Sequence, residues 1–185
     1  GGGLWAGVGK RFGMARAMKG GVGAASGTVD GVTVGALIAC NAVGDVLDPD
    51  TARIVAGART ADGLQLLDTR RALLRGELAQ SVLPGTNTTI GVIATDAVIS
   101  KAQAQRLAVA AHDGLARAIN PVHTQLDGDT LFTLGTGASG KQPGMLLLAT
   151  MAAEATARAT LRAVQAARAL TTPEGLHLPC AADIG

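Results

Sequence analysis

From residue 88 onward the chain switches three times between two hydrophobic periods, and that alternation restricts the fold more than any other feature. "TTIGVIATDAVI" (88–99) is dense in β-branched residues and reads as a strand. Ser100, with Gln103 three residues later, forms a capping-box signature opening the helix "KAQAQRLAVAAHDGLARAI" (101–119), which Asn120-Pro121 stops. "HTQLDGDTLFTLGTG" (123–137) reads as a turn running into another strand, and a long helix over 144–170 follows. Glu154, Arg158, Arg162 and Arg168 recur along it at helical spacing, so it is an amphipathic helix rather than a membrane span.

The first half has weaker patterning. Residues 1–30 are Gly-rich and basic and close in a turn at Val29-Asp30-Gly31. "TVGALIACNAVGDVLD" (33–48) reads as a buried strand with a turn at Gly44-Asp45, and Ile54–Ala56 as its hairpin partner. The stretch 61–82 has helical spacing despite Gly76 and leads to an exposed linker at Pro84-Gly85. The order predicts a layered α/β/α domain with sheets covered on both faces.

Composition says how such layers pack and what they do not bind. Residues of hydrophobic type make up 48% of 185, yet only 2% are aromatic, with 26 Gly, two Phe, one Trp and no Tyr. Ala, Val, Leu and Ile must fill the core at short distances. Too few aromatics remain for base stacking, and a net charge of +2 without a Lys/Arg cluster disfavours nucleic acid as a partner. With no apolar run of membrane length and no recognisable leader, the expectation is a cytoplasmic protein with no membrane partner. Cys40 and Cys180 lie far apart and read as reduced packing residues, neither a disulfide pair nor a zinc site.

Conventional catalytic sets are missing. His112, His123 and His177 form no HExxH pair and no local Cys-His dyad, and there is no GxSxG elbow. "GVGKRFG" (7–13) lacks the Walker spacing and follows no strand. The chemistry that remains is at Asn87-Thr88. A Thr hydroxyl can attack the carbonyl just before it; hydrolysis of the ester then leaves Thr88 as a chain N-terminus. Its free amine, of a type that ordinarily titrates at about 7.7 to 8.0, then serves as base for its own hydroxyl. The other reading is a plain loop-to-strand junction in which Thr is chosen for β propensity.

Four stretches, "RAMKGGVGAAS", "TVGALIACNAVGDVLDPDTARIVAGAR", "NTTIGVIATDA" and "HTQLDGDTLFTLGTG", occur in one order from residue 16 to residue 137, within a match that begins at about residue 5. Together they resemble the self-cleaving L-aminopeptidase/D-esterase family, which includes nylon-oligomer hydrolases, β-peptidyl aminopeptidases and a pantetheine hydrolase. The resemblance implies a four-layer αββα sandwich of the N-terminal-nucleophile kind. Cleavage between Asn87 and Thr88 would divide it into segments 1–87 and 88–185, which stay together and self-associate as a homo-oligomer. It implies Thr88 as nucleophile, with Thr89 as the alternative if cleavage falls one residue later. Asn41 would hold the oxyanion, and Lys10 would be the cation keeping the Thr amine neutral. Asp127 and Asp129 would be an acidic pair bordering a pocket for substrates with a free amino end, although a Gly between two Asp also suits a tight turn. No metal or organic cofactor is implied. Members of the family carry a further segment, with a Tyr of the oxyanion pocket, ahead of the Gly-rich region. This chain has no Tyr, so the expectation is part of an enzyme, with one sheet face left bare.

Overall fold

The computed structural model describes residues 6–77 and 87–184. Its centre is a four-stranded sheet built from β3 (Gly21–Val29), β4 (Val32–Cys40), β7 (Ile90–Thr95) and β9 (Thr130–Gly135), in the order β3-β4-β7-β9. β3, β4 and β7 are antiparallel neighbours, and β9 lies parallel to β7. Parallel neighbours need a crossover, and α2 (Lys101–Ala118) supplies it. The predicted capping box opens that helix: Ser100 Oγ accepts from Gln103 N, and Gln103 Oε1 accepts from Ser100 N.

β3 adds a strand that the sequence reading, which described residues 1–30 only as Gly-rich, basic and closing in a turn, did not assign. Its nine residues pair with β4 from Gly21↔Cys40 to Val29↔Val32, closed by the predicted turn, where Asp30 (φ 49°) and Gly31 (φ 71°) both take positive φ. The predicted strand 33–48 is two: β4 ends at Cys40, and β5 (Asp45–Leu47) pairs instead with β6 (Ile54–Ala56) and β8 (Ile119–Asn120). The hairpin partnership of Ile54–Ala56 is as expected.

The helix predicted over 61–82 is reduced, among the described residues, to α1 (Thr69–Leu74); the linker at Pro84-Gly85 lies outside them. Asp45 explains the change. Its buried carboxylate accepts from Ala58 N (2.8 Å), Thr69 N (2.6 Å) and Thr69 Oγ1 (2.7 Å), tying residues 58–69 across β5 before helix can start. The last helix, α3, runs Met145–Gln165 rather than to residue 170, because Leu170 opens β10 (Leu170–Thr171), paired with β11 (His177–Leu178). One further two-stranded ladder, β1 (Gly7–Val8) with β2 (Met18–Lys19), lies ahead of the main sheet in the sequence.

α3 packs on β3 and β4, α2 packs on α3 and β9, and the core lies between helices and sheet. The aromatic-poor composition is spent here. A Cβ on Gly23 would stand 2.2 Å from Ala159 O and 2.3 Å from Ala163 N, so strand and helix meet backbone to backbone. Both free cysteines are buried, as expected.

The other face of the sheet differs from the expectation of cover on both sides. Val22, Leu37, Ile90, Phe132 and Leu134 point from it and are exposed; Phe132, one of only two Phe, keeps 61% of its surface accessible. Among the described residues, α2 and α3 thus cover one face of the four-stranded sheet and leave the other bare, as the expectation of one bare sheet face had it.

Gly23→Ala is expected to cost at least about 2 kcal/mol in urea unfolding, because neither backbone can retreat without opening the helix–sheet seam. A loss under about 0.5 kcal/mol would mean that the seam is looser than this packing.

Candidate active site

Side chains alternate across a strand, so adjacent residues serve opposite faces. In β7 the buried positions are Gly91, Ile93 and Thr95, turned to the helices, while Ile90, Val92 and Ala94 face the open side. By that alternation Thr89 belongs to the helix side and Thr88 to the open side. Ala39 pairs with Ile90, and Ile90 with Thr130. Extending both ladders by two residues sets Asn41, Thr88 and Gly128 in one row on the open face. On the β9 side the extension is supported by a bridge between Asn87 and Asp127 and by a 2.9 Å hydrogen bond from Gly128 N to Asn87 O; on the β4 side Asn41 N donates to Thr89 Oγ1 at 3.3 Å.

Asn41, just past the end of β4, is held from its carbonyl end. Gly7 N (3.1 Å) and Lys10 Nζ (2.7 Å) both donate to its Oδ1. Two donors on one atom fix the orientation of the amide and turn its NH2 group the other way. Lys10 sits in a short 3-10 turn, Lys10–Phe12, and is almost wholly buried. Burial pulls its pKa down from 10.5 to about 8, a shift that the negative charge of Asp127 opposes.

Beneath this row, on the helix side, lies a second one. Thr89 is fully buried; its Oγ1 accepts from Asn41 N (3.3 Å), and its N donates to Asp129 Oδ1 (2.8 Å). Cys40 lies beside it, its thiol pushed up to about 12 by burial and so kept protonated. Asp129 is also raised by burial, an effect its bond from the Thr89 backbone opposes.

Of the sequence-predicted residues, Lys10, Asn41, Asn87, Thr88, Asp127 and Asp129 therefore gather at one end of the sheet. The two aspartates do different things there. Asp127 Oδ2 accepts from Thr124 N (2.9 Å) and Oγ1 (2.8 Å), closing the turn before β9, whereas Asp129 clamps the Thr89 backbone. His112 and His123 lie outside the row, their ring nitrogens 3.2 Å apart. Sequence reasoning missed Gly7 and Gly128, whose contributions are backbone N–H groups; the Gly between two Asp was the one available signal. No cluster of metal-ligating side chains occurs among the described residues.

Comparison with known proteins bears on the family and the fold. An uncharacterized aminopeptidase of Mycobacterium leprae is 50% identical over 135 residues, covering 72% of this chain and 36% of that protein. A 6-aminohexanoate-oligomer endohydrolase of Agromyces sp. is 30% identical over 119 residues, covering 63% and 33%. The chain thus spans little more than a third of the length of these relatives. Among solved structures, the L-aminopeptidase D-Ala-esterase/amidase of Ochrobactrum anthropi, described as a variant of the Ntn-hydrolase fold, superposes with a TM-score of 0.61 at 22% identity, over 89% of this chain and 45% of that one. A Burkholderia sp. β-aminopeptidase superposes at 0.54 with 25% identity, over 88% and 46%. The fold is accordingly that of the N-terminal-nucleophile hydrolases, and since the family model of peptidase family S58 matches residues 2–178, the chain belongs to that family.

Proposed function

We propose that this chain carries the nucleophile of a self-processing amide hydrolase, with Thr88 released as an N-terminal residue by cleavage after Asn87. The observation that carries the reading is the fixed placement of Asn41: Gly7 N and Lys10 Nζ donate to its Oδ1, and its backbone N donates to Thr89 Oγ1, next to the Asn87-Thr88 junction. A tetrahedral intermediate formed on Thr88 Oγ needs a donor already in place, the part this reading gives to the Asn41 NH2 group.

In this reading the freed Thr88 amine takes the hydroxyl proton as Oγ attacks a substrate carbonyl and passes it to the leaving amine. Water then releases the acyl group. Lys10, still largely charged at neutral pH, disfavours a second positive charge nearby and keeps the Thr88 amine basic. The burial and double hydrogen bonding of Thr89 favour Thr88 as the attacking residue.

Beyond the hydrogen bonds they accept from Thr89 and Thr124, Asp127 and Asp129 make this end of the sheet acidic, which suits an amide substrate with a free amino terminus. Peptides, β-aminoacyl compounds, 6-aminohexanoate oligomers and pantetheine-like amides all fit that class. The names of the relatives, an aminopeptidase and an oligomer endohydrolase, support it. Self-association of the cleaved pairs belongs to the same proposal.

Intact mass under denaturing conditions tests the first step. The complete gene product is expected to give two fragments dividing at Asn87/Thr88, and Thr88→Ala one uncut chain with no amidase activity; an uncut, active wild type would contradict the reading.

Lys10 supplies a second test, made in the uncut Thr88→Ala background. Its pKa is lowered on folding, so between pH 8 and 10.5 the unfolded chain binds more protons and stability rises with pH. Lys10→Met is therefore expected to be more stable at pH 7 by up to about 3 kcal/mol, less the lost Asn41 contact, with the gain fading by pH 10.5. Urea unfolding at pH 7 and 10 reads this difference, and a gain that grows with pH would refute the buried-cation account. In the cleavable chain the same substitution is expected to lower activity by about 10- to 100-fold, since Asn41 loses a positioning contact.

A further inference from the structure

Gly128 touches both reacting groups of the Asn87-Thr88 junction. Its N donates to Asn87 O at 2.9 Å, and a Cβ built on it would stand 2.7 Å from Thr88 Oγ1. The carbonyl to be attacked and the hydroxyl that would attack it thus converge on one residue, and only a glycine leaves room for that hydroxyl. Its φ is not positive, so the glycine answers to space rather than backbone conformation.

We propose that the Gly128 backbone N–H is the oxyanion donor of the self-cleavage step, and that the missing Cβ is what lets Thr88 Oγ reach the carbonyl. The proposal rests on self-cleavage at Thr88 and names the group that makes the uncut bond an electrophile. As Thr88 Oγ bonds to the Asn87 carbonyl carbon, the carbonyl electron pair moves onto Asn87 O, against the Gly128 N–H. When the carbonyl re-forms, the carbon–nitrogen bond breaks, and the proton given up by the hydroxyl goes to the Thr88 nitrogen. Water then cleaves the resulting ester to an Asn87 carboxylate and a free Thr88 amine. The donor needs no rearrangement, because the β7–β9 ladder that continues in Thr130 N to Thr89 O (3.0 Å) already fixes it. The role of Gly128 therefore belongs to maturation, while that of Asn41 belongs to turnover.

The test replaces the donor alone. In cell-free synthesis of the complete gene product, residue 128 is supplied as glycine or as glycolic acid, which turns the N–H into an ester oxygen, and fragment formation is timed by mass. Cleavage is expected to slow by about 100-fold with glycolic acid, as for the loss of one oxyanion donor. Equal rates would overturn the proposal. Trypsin digestion of the two forms in a Thr88→Ala background reads the fold. If the ester form is digested faster, Gly128→Ala decides, since it keeps every backbone donor: slow cleavage supports the proposal and normal cleavage overturns it. A wild-type chain that never divides sinks the self-cleavage reading and this one together. A Thr88→Ala chain that still divides, leaving Asn87 as a succinimide, overturns it in favour of attack by the Asn87 side chain, whose buried amide atoms have no partner among the described residues.

Discussion

The alternation of side chains along β7 is the constraint on which the rest depends. Two adjacent threonines enter the same strand, and the pleat sends them to opposite faces. Thr89 goes inward, where Asp129 and the Asn41 backbone anchor it beside the protonated Cys40 thiol. Thr88 goes outward, into line with Asn41 and Gly128. A shift of one residue in register would exchange the two and turn the anchored hydroxyl to the open face. Three-strand pairing is therefore what anchors one threonine inside and turns the other to the open face.

That pairing is rigid because the helix layer lies so near. Gly23 meets the α3 backbone with no side chain between, and Ala152, Ala155, Ala159 and Ala163 line the buried side of the helix. Small residues give up area per side chain, but they bring two regular surfaces into close register and leave little slack. Lys10 shows a cost accepted for position. Its ammonium is held in a dry place, at a pKa near 8, with its contact to Asn41 Oδ1 as the evident return. The apolar outer face, with Ile90, Val92 and Phe132 in sequence beyond Thr88, extends the same open side away from the site.

Much of this was legible in the sequence. Strand β7, the capping box of α2, the turn at Asp30-Gly31 and the grouping of Lys10, Asn41 and Thr88 follow from local patterns or from motif resemblance. What was hidden depended on partners far along the chain. Gly21, Gly23 and Gly27 erase the alternation that would mark β3, and its identity comes from pairing with β4. Helical spacing over 61–82 is real, yet three hydrogen bonds to Asp45 hold much of that stretch in another conformation. Gly7 and Gly128 contribute through backbone N–H groups, which carry no sequence signature beyond the glycine itself.

The central claim is that the outward threonine, and not the inward one, is the group that reacts. An aminoacyl β-lactone, which acylates an attacking hydroxyl and leaves it esterified, reports this directly when the treated protein is digested and its peptides sequenced by mass. The account predicts one stable acyl group on Thr88, with Thr89 unmodified. Acylation of Thr89, or of any residue other than Thr88, would contradict it.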